Sequence, residues 1–214
     1  ESCLNIAKPP LTFWLMSVGY QMLGVNNFAT RFWNAVLGAL TLIVVFYLGR
    51  KLYNSYVGFL SALVLETFSG FYSLATHAMT DVPLVFFVVS SIYFYVLSEE
   101  TEKPKVFAVL SGLFFGLALM TKQFSAFIIP IILFVYLSIT RRNIWFIKTR
   151  RFAWFFWVGI AIFLPWVLYM ILRFGPAFLQ PYFLESVIAR TTSSLEGHTG
   201  TYWYYFAGLV SEPL

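Results

Sequence analysis

The chain has 214 residues, of which 60% are hydrophobic, 21% aromatic and 11% charged, with a formal net charge of +5. Soluble domains carry about 25% charged residues, so lipid rather than water must cover most of this surface. The basic excess lies in short loops between apolar runs and calls for no nucleic-acid partner, while the lone cysteine, Cys3, excludes an internal disulfide and any cysteine-based metal cluster.

The first element follows Lys8-Pro9-Pro10-Leu11. Proline suits a first helical turn, and Leu11, Trp14, Leu15, Val18 and Met22 recur at helical spacing. Residues 10–24 are too few to cross a bilayer, and Gly24 is a natural stop. The pattern predicts a helix lying in the membrane interface. Lys8 reads two ways, as a point charge for a phosphate or as a snorkelling anchor.

Membrane spans are predicted at 32–48, 57–75, 82–98, 106–121, 124–140 and 152–172, and another apolar segment starts near Tyr202. Pro83 falls at a helix start. Pro130 and Pro165 fall inside spans and predict kinks, which neighbouring helices can accommodate. Glu66 lies within 57–75, where a carboxylate must be protonated, paired or turned to a cavity. The chain opens at Glu1 without methionine and closes at Leu214 inside an apolar run. It therefore reads as a piece of a longer polytopic protein, residues 1–214 being one transmembrane domain without its first span and C-terminal part.

Alternating spans place loops 49–56, 99–105 and 141–151 on one side. That side carries Arg50, Lys51, Lys103, Lys105, Arg141, Arg142, Lys148, Arg150 and Arg151. The other side carries Lys8, Arg31, Lys122, Arg173 and Arg190. The basic majority makes the first side cytoplasmic. The second side, with 1–31, 76–81, 122–123 and the long loop 173–201, is then extracytoplasmic.

Single ionisable residues on that second side are the candidates for chemistry. In His77-Ala78-Met79-Thr80-Asp81-Val82-Pro83, Asp81 either caps a helix or pairs with Lys122 or Arg31, and His77 reads as a polar turn residue. Lys122, in Thr121-Lys122-Gln123, either snorkels or adds to an anion site shared with Lys8. The stretch Glu185-Ser186…Arg190…His198…Tyr202-Trp203-Tyr204-Tyr205 offers a carboxylate, a guanidinium fork suited to phosphate and an imidazole. Its aromatic group alone reads as an interfacial belt. Neither a phosphate-cradling glycine loop nor a zinc-protease helix motif is present.

Taken together, Lys8-Pro9-Pro10-Leu11, Phe28-Ala29-Thr30-Arg31-Phe32, Tyr47-Leu48-Gly49-Arg50-Lys51-Leu52, Thr80-Asp81-Val82-Pro83-Leu84, Gly116-Leu117-Ala118-Leu119-Met120-Thr121-Lys122 and Glu185…Arg190…His198…Trp203-Tyr204-Tyr205 carry a family likeness. In that order they resemble the polytopic C-type glycosyltransferases related to protein O-mannosyltransferases and to lipid A aminoarabinose transferase. The resemblance implies an all-α integral membrane bundle with interfacial helices in its extracytoplasmic loops. It implies a plasma (inner) membrane, multi-pass enzyme whose active face is extracytoplasmic. The implied reaction moves a sugar from a polyprenyl-phosphate donor to a glycan, lipid or protein acceptor.

The resemblance further implies that Lys8, Arg190 and Lys122 bind the donor phosphate, while Arg31, Asp81, Glu185, His198 and Tyr205 shape the site. The family's catalytic aspartate belongs upstream of Glu1. Two departures weaken a divalent metal, and no metal ligand is assigned. Ala7 stands where the family often has an acidic residue, and Ser186 stands where aminoarabinose transferases tend to have histidine. Two other readings stay open: a secondary transporter, for which Glu66 and broken helices speak, and a non-catalytic membrane assembly subunit.

Overall fold

A computed structural model describes residues 8–141, 150–179 and Tyr182. Two compact units are present, one of residues 9–166 and one holding Lys8 with residues from 167 onward. Every regular element among the described residues is helical. They are α1 Leu11–Leu23, α2 Asn27–Leu52, α3 Ser55–Thr67, α4 Ser69–Ala75, α5 Asp81–Glu99, α6 Pro104–Leu119, α7 Ile128–Arg141, α8 Arg150–Phe174 and α9 Pro176–Leu179, with a 3-10 turn at Ser125–Phe127 before α7.

Local chemistry sets the helix ends. Gly24 takes φ 78° and its N–H returns to Tyr20 O at 3.0 Å, closing α1 as the sequence predicts. The Asn26 side chain caps α2 by accepting from Ala29 N at 2.7 Å, and Asn54 caps α3 by accepting from Val57 N at 2.9 Å. Tyr20 Oη lies 3.0 Å from Thr30 Oγ1, a hydrogen bond that links α1 to α2. Trp14, Val18 and Met22 of α1 stay exposed, as an interfacial helix requires.

Helices α2, α5 and α8 are each long and apolar enough to cross a membrane. The predicted span 57–75 is not one straight helix: it is a bent pair, α3 and α4, apolar enough together to cross a membrane and turned by 69° at Phe68. The break lies in the backbone of Phe68, whose ψ of 109° leaves the helical range immediately before Ser69-Gly70, a pairing at which helices bend. The predicted spans 106–121 and 124–140 are shorter apolar helices, α6 of 16 residues and α7 of 14. Pro130 is also corrected. It stands in the first turn of α7, where a missing N–H breaks no helical bond. Pro165 lies inside α8.

The core of the larger unit lies between α5, α6, α7 and α8, around Tyr95, Phe115, Leu119, Leu133 and Phe155. Its helices approach closely at small residues, the common device of helices that pack in lipid. Phe115 packs against Gly159, where an added Cβ would stand 2.3 Å from its ring. Gly58 of α3 meets α2 backbone to backbone, and a Cβ there would fall 2.4 Å from Phe46 O. Between α5 and α6, Ser91 and Ser111 each donate to the other's carbonyl at 2.8 Å. These two hydroxyls are thus satisfied inside an apolar contact.

In the smaller unit, Gly175 closes α8 with φ 52°. The Phe178 ring sits 4.6 Å from that of Tyr182, whose phenol burial pushes well above its usual range.

Candidate functional site

The antiparallel helices gather their connections at two ends of the larger unit. At one end lie the close of α2, the close of α5, the start of α6 and the start of α8. Lys51 pairs with Glu100, Arg151 Nη1 donates to Glu99 Oε1 at 3.1 Å, and Lys105 Nζ stands 4.4 Å over the Trp154 ring. These bonds join the loops that the sequence places on one side.

The opposite end is built differently. It collects the starts of α1, α2 and α5 with the turn after α6. Leu11 N, at the first residue of α1, donates to Met120 O at 3.1 Å. This ties the start of α1 to the turn holding Lys122. Asp81 opens α5, and Lys122 Nζ donates to its Oδ1 at 2.9 Å. Each charge suits its helix end, an anion at an N-terminus and a cation just past a C-terminus.

Two alternatives read from the sequence are resolved here. Thr80, the residue that caps α5, makes no side-chain capping bond, and the Asp81 carboxylate turns to Lys122 rather than to Arg31. The pair is not buried: the two side chains keep 40% and 39% of their exposure. Such a pair contributes about 0–1 kcal/mol to stability, so stability is a poor reason for its presence. An ammonium has three donors. Asp81 Oδ1 takes one, and the exposure leaves room for an anion at the others.

The remaining candidates spread out. Arg31 is exposed on the first turns of α2. His77 is exposed in the α4–α5 turn, with Nδ1 2.6 Å from Ser73 O. Lys8 is exposed and Arg173 lies in the last turn of α8. Glu66 is exposed on α3 immediately before the helix break. Glu185, Arg190, His198 and Tyr205, with Ala7 and Ser186, lie outside the described residues. Among the described residues, no three His, Cys, Asp or Glu side chains gather closely enough to hold a metal ion.

One residue escaped sequence reasoning. Asn34 of α2 is 2% exposed, and its Nδ2 donates to His77 O at 2.7 Å and to Met79 O at 2.6 Å. The available signal was an amide inside an apolar run, Phe32-Trp33-Asn34-Ala35-Val36.

Residues 7–169 match the family described as dolichyl-phosphate-mannose-protein mannosyltransferase. An uncharacterized protein of Aquifex aeolicus is 31% identical over 86% of this chain and 37% of its own length. The undecaprenyl phosphate-alpha-4-amino-4-deoxy-L-arabinose arabinosyl transferase of Erwinia tasmaniensis is 28% identical over 97% of this chain and 38% of its own length. The crystal structure of ArnT from Cupriavidus metallidurans bound to undecaprenyl phosphate superposes with a TM-score of 0.81. It is 23% identical and covers 96% of this chain and 38% of that one. The chain thus spans a little over a third of the length of these relatives, and it shares the fold of a solved membrane-embedded relative.

Proposed function

The chain belongs to the dolichyl-phosphate-mannose-protein mannosyltransferase family, and on that premise we propose that the protein of which it forms a part is a glycosyltransferase using a polyprenyl-phosphate-linked sugar. The acceptor's nucleophile bonds to the sugar's anomeric carbon. The bond from that carbon to the phosphate oxygen breaks, and polyprenyl phosphate leaves with the electron pair. A carboxylate contributed from outside these residues takes the acceptor's proton. The reaction belongs on the extracytoplasmic face of the inner membrane, opposite the basic loops.

The observation that carries this reading is the Asp81–Lys122 pair at the end of the bundle opposite the clustered charges. As the phosphate departs, negative charge grows on its oxygens, and a cation placed in advance stabilises it without reorganisation. Lys122 is oriented by Asp81 and still open to an anion. Lys8, exposed just before α1, is proposed as a second point charge for the phosphate. Arg190 would supply a bidentate fork, and Arg31, Glu185, His198 and Tyr205 would help to shape the site for the sugar. The name of the Erwinia relative and the lipid in the Cupriavidus structure favour undecaprenyl phosphate as the carrier.

The test uses the full-length protein in liposomes containing a polyprenyl-phosphate-linked pyranose. Lys8→Ala, Arg190→Ala and Lys122→Ala are each expected to lower transfer by about 10²-fold, the usual loss for one donor to a developing oxyanion. Parental rates in all three at equal expression would refute the assignment. A transporter reading rests on the 69° break beside Glu66. It predicts solute flux in the same liposomes with no glycosylated product.

A further inference from the structure

A polar amide inside an apolar helix costs free energy unless its hydrogen bonds are made. Asn34 makes them across 43 and 45 residues, and both go to one turn. A single amide nitrogen carries two hydrogens, so its whole donor capacity is spent on His77 O and Met79 O. Thr41 and Gly38 continue the same buried stripe of α2. At Gly38 an added Cβ would meet Ala75 Cβ at 3.2 Å and Val82 Cγ1 at 3.6 Å. This face of α2 therefore lies against the close of α4 and the start of α5.

The turn it grips is otherwise weakly held. His77, Ala78 and Met79 are exposed. Its backbone bonds are local, from His77 N to Leu74 O at 3.3 Å and from Met79 N to His77 O at 2.9 Å. The Thr80 side chain caps nothing. Asp81 follows Met79 by two residues. Of the hydrogen bonds on this turn, the two from Asn34 reach it from a distant helix, and they come from a buried side chain.

We infer that Asn34 is a positioning residue for the donor site: by holding the carbonyls of His77 and Met79 it sets where Asp81 presents its carboxylate, and so where Lys122 holds its ammonium. The inference rests on the reading of that pair as part of the donor site. A leucine at this position would fill the space and suit the apolar surroundings as well. An amide is needed because two carbonyls must be bound at once.

Hydrogen exchange and transfer kinetics on the full-length protein in liposomes test it together. In Asn34→Leu, amides 77–82 should exchange about tenfold faster, as expected when a buried hydrogen bond holding a turn is removed. The rest of the bundle should be unchanged. The KM for the lipid-linked sugar should rise by a similar factor, and that rise should vanish in an Asp81→Asn background, because residues acting through one group are not additive.

Asn34→Asp is the second variant should leucine impair folding. It keeps the shape, removes both donors, and should regain part of the protection relative to the parent as the pH falls and the new carboxyl gains a proton. Unchanged exchange in both variants overturns the inference. Faster exchange with parental KM, while Asp81→Asn and Lys122→Ala are impaired, also overturns it. Faster exchange with parental transfer in Asn34→Leu, Asp81→Asn and Lys122→Ala alike upholds the anchoring of the turn and instead refutes the donor-site reading.

Discussion

Glu99 and Glu100 stand side by side at the close of α5 and reach in different directions, Glu99 to Arg151 of α8 and Glu100 to Lys51 of α2. At the other end of the same helix stands Asp81, engaged by Lys122 beyond α6 and reached through a turn that Asn34 holds from inside α2. The first arrangement is distributed. Among the described residues, three ionic or cation–π contacts share the work of joining the loops, and each can fail without orphaning the others. The second is concentrated, since one partly exposed pair depends on a turn gripped by one buried amide. Distributed contacts suit retention and orientation in a membrane, whereas a concentrated, preoriented pair suits chemistry on an anion.

The sharpest way to break this contrast is Lys122→Ala. It should cut transfer by about 10²-fold, roughly 3 kcal/mol of transition-state stabilisation. The melting temperature should barely move, because a partly exposed pair contributes about 1 kcal/mol at most. Initial rates and thermal melts of the same preparation decide it, and a large melting shift with normal transfer would invert the comparison.

Gly58→Val tests whether a common scaffold carries both ends. An added Cβ would stand 2.4 Å from Phe46 O and 2.9 Å from Arg50 N. Overpacking of this kind costs about 1–3 kcal/mol. A thermal melt should register the loss, and transfer by the fraction that stays folded should remain near parental.

Smaller effects are expected at the clustered end. The Glu99 side chain is 12% exposed against 36% for Arg151, so Glu99→Gln leaves a half-buried guanidinium without its anion. This should cost about 1 kcal/mol in thermal stability and leave the KM for donor unchanged. Lys51→Ala should change stability by about 0.5 kcal/mol or less, as surface pairs do. A loss of transfer in either variant would mean that the two ends are coupled.

The grouping of loops was legible in the sequence, because alternating spans put 49–56, 99–105 and the start of α8 together, and Lys51–Glu100 and Arg151–Glu99 join those segments. The short helix α1 and its Gly24 stop were legible for a similar reason, since proline, periodicity and glycine act within a few residues. The break at Phe68 was not. Hydropathy summed over 57–75 sees an unbroken apolar run, whereas the bend lies in the backbone of one residue, Phe68, whose ψ of 109° leaves the helical range. Pro130 misled for a related reason: its effect depends on where α7 starts, and a 3-10 turn at Ser125–Phe127 delays that start until Ile128.

Composition, hydropathy and the order of short motifs were enough to establish a polytopic membrane chain of this glycosyltransferase superfamily, because those signals are sums along the chain and survive any detail of packing. Which cation Asp81 meets, and that Asn34 holds the turn before it, needed the folded helices. Those bonds span 41 to 45 residues, and a hydrogen bond acts over about 3 Å, so only the packing of α2, α5 and α6 could choose the partners.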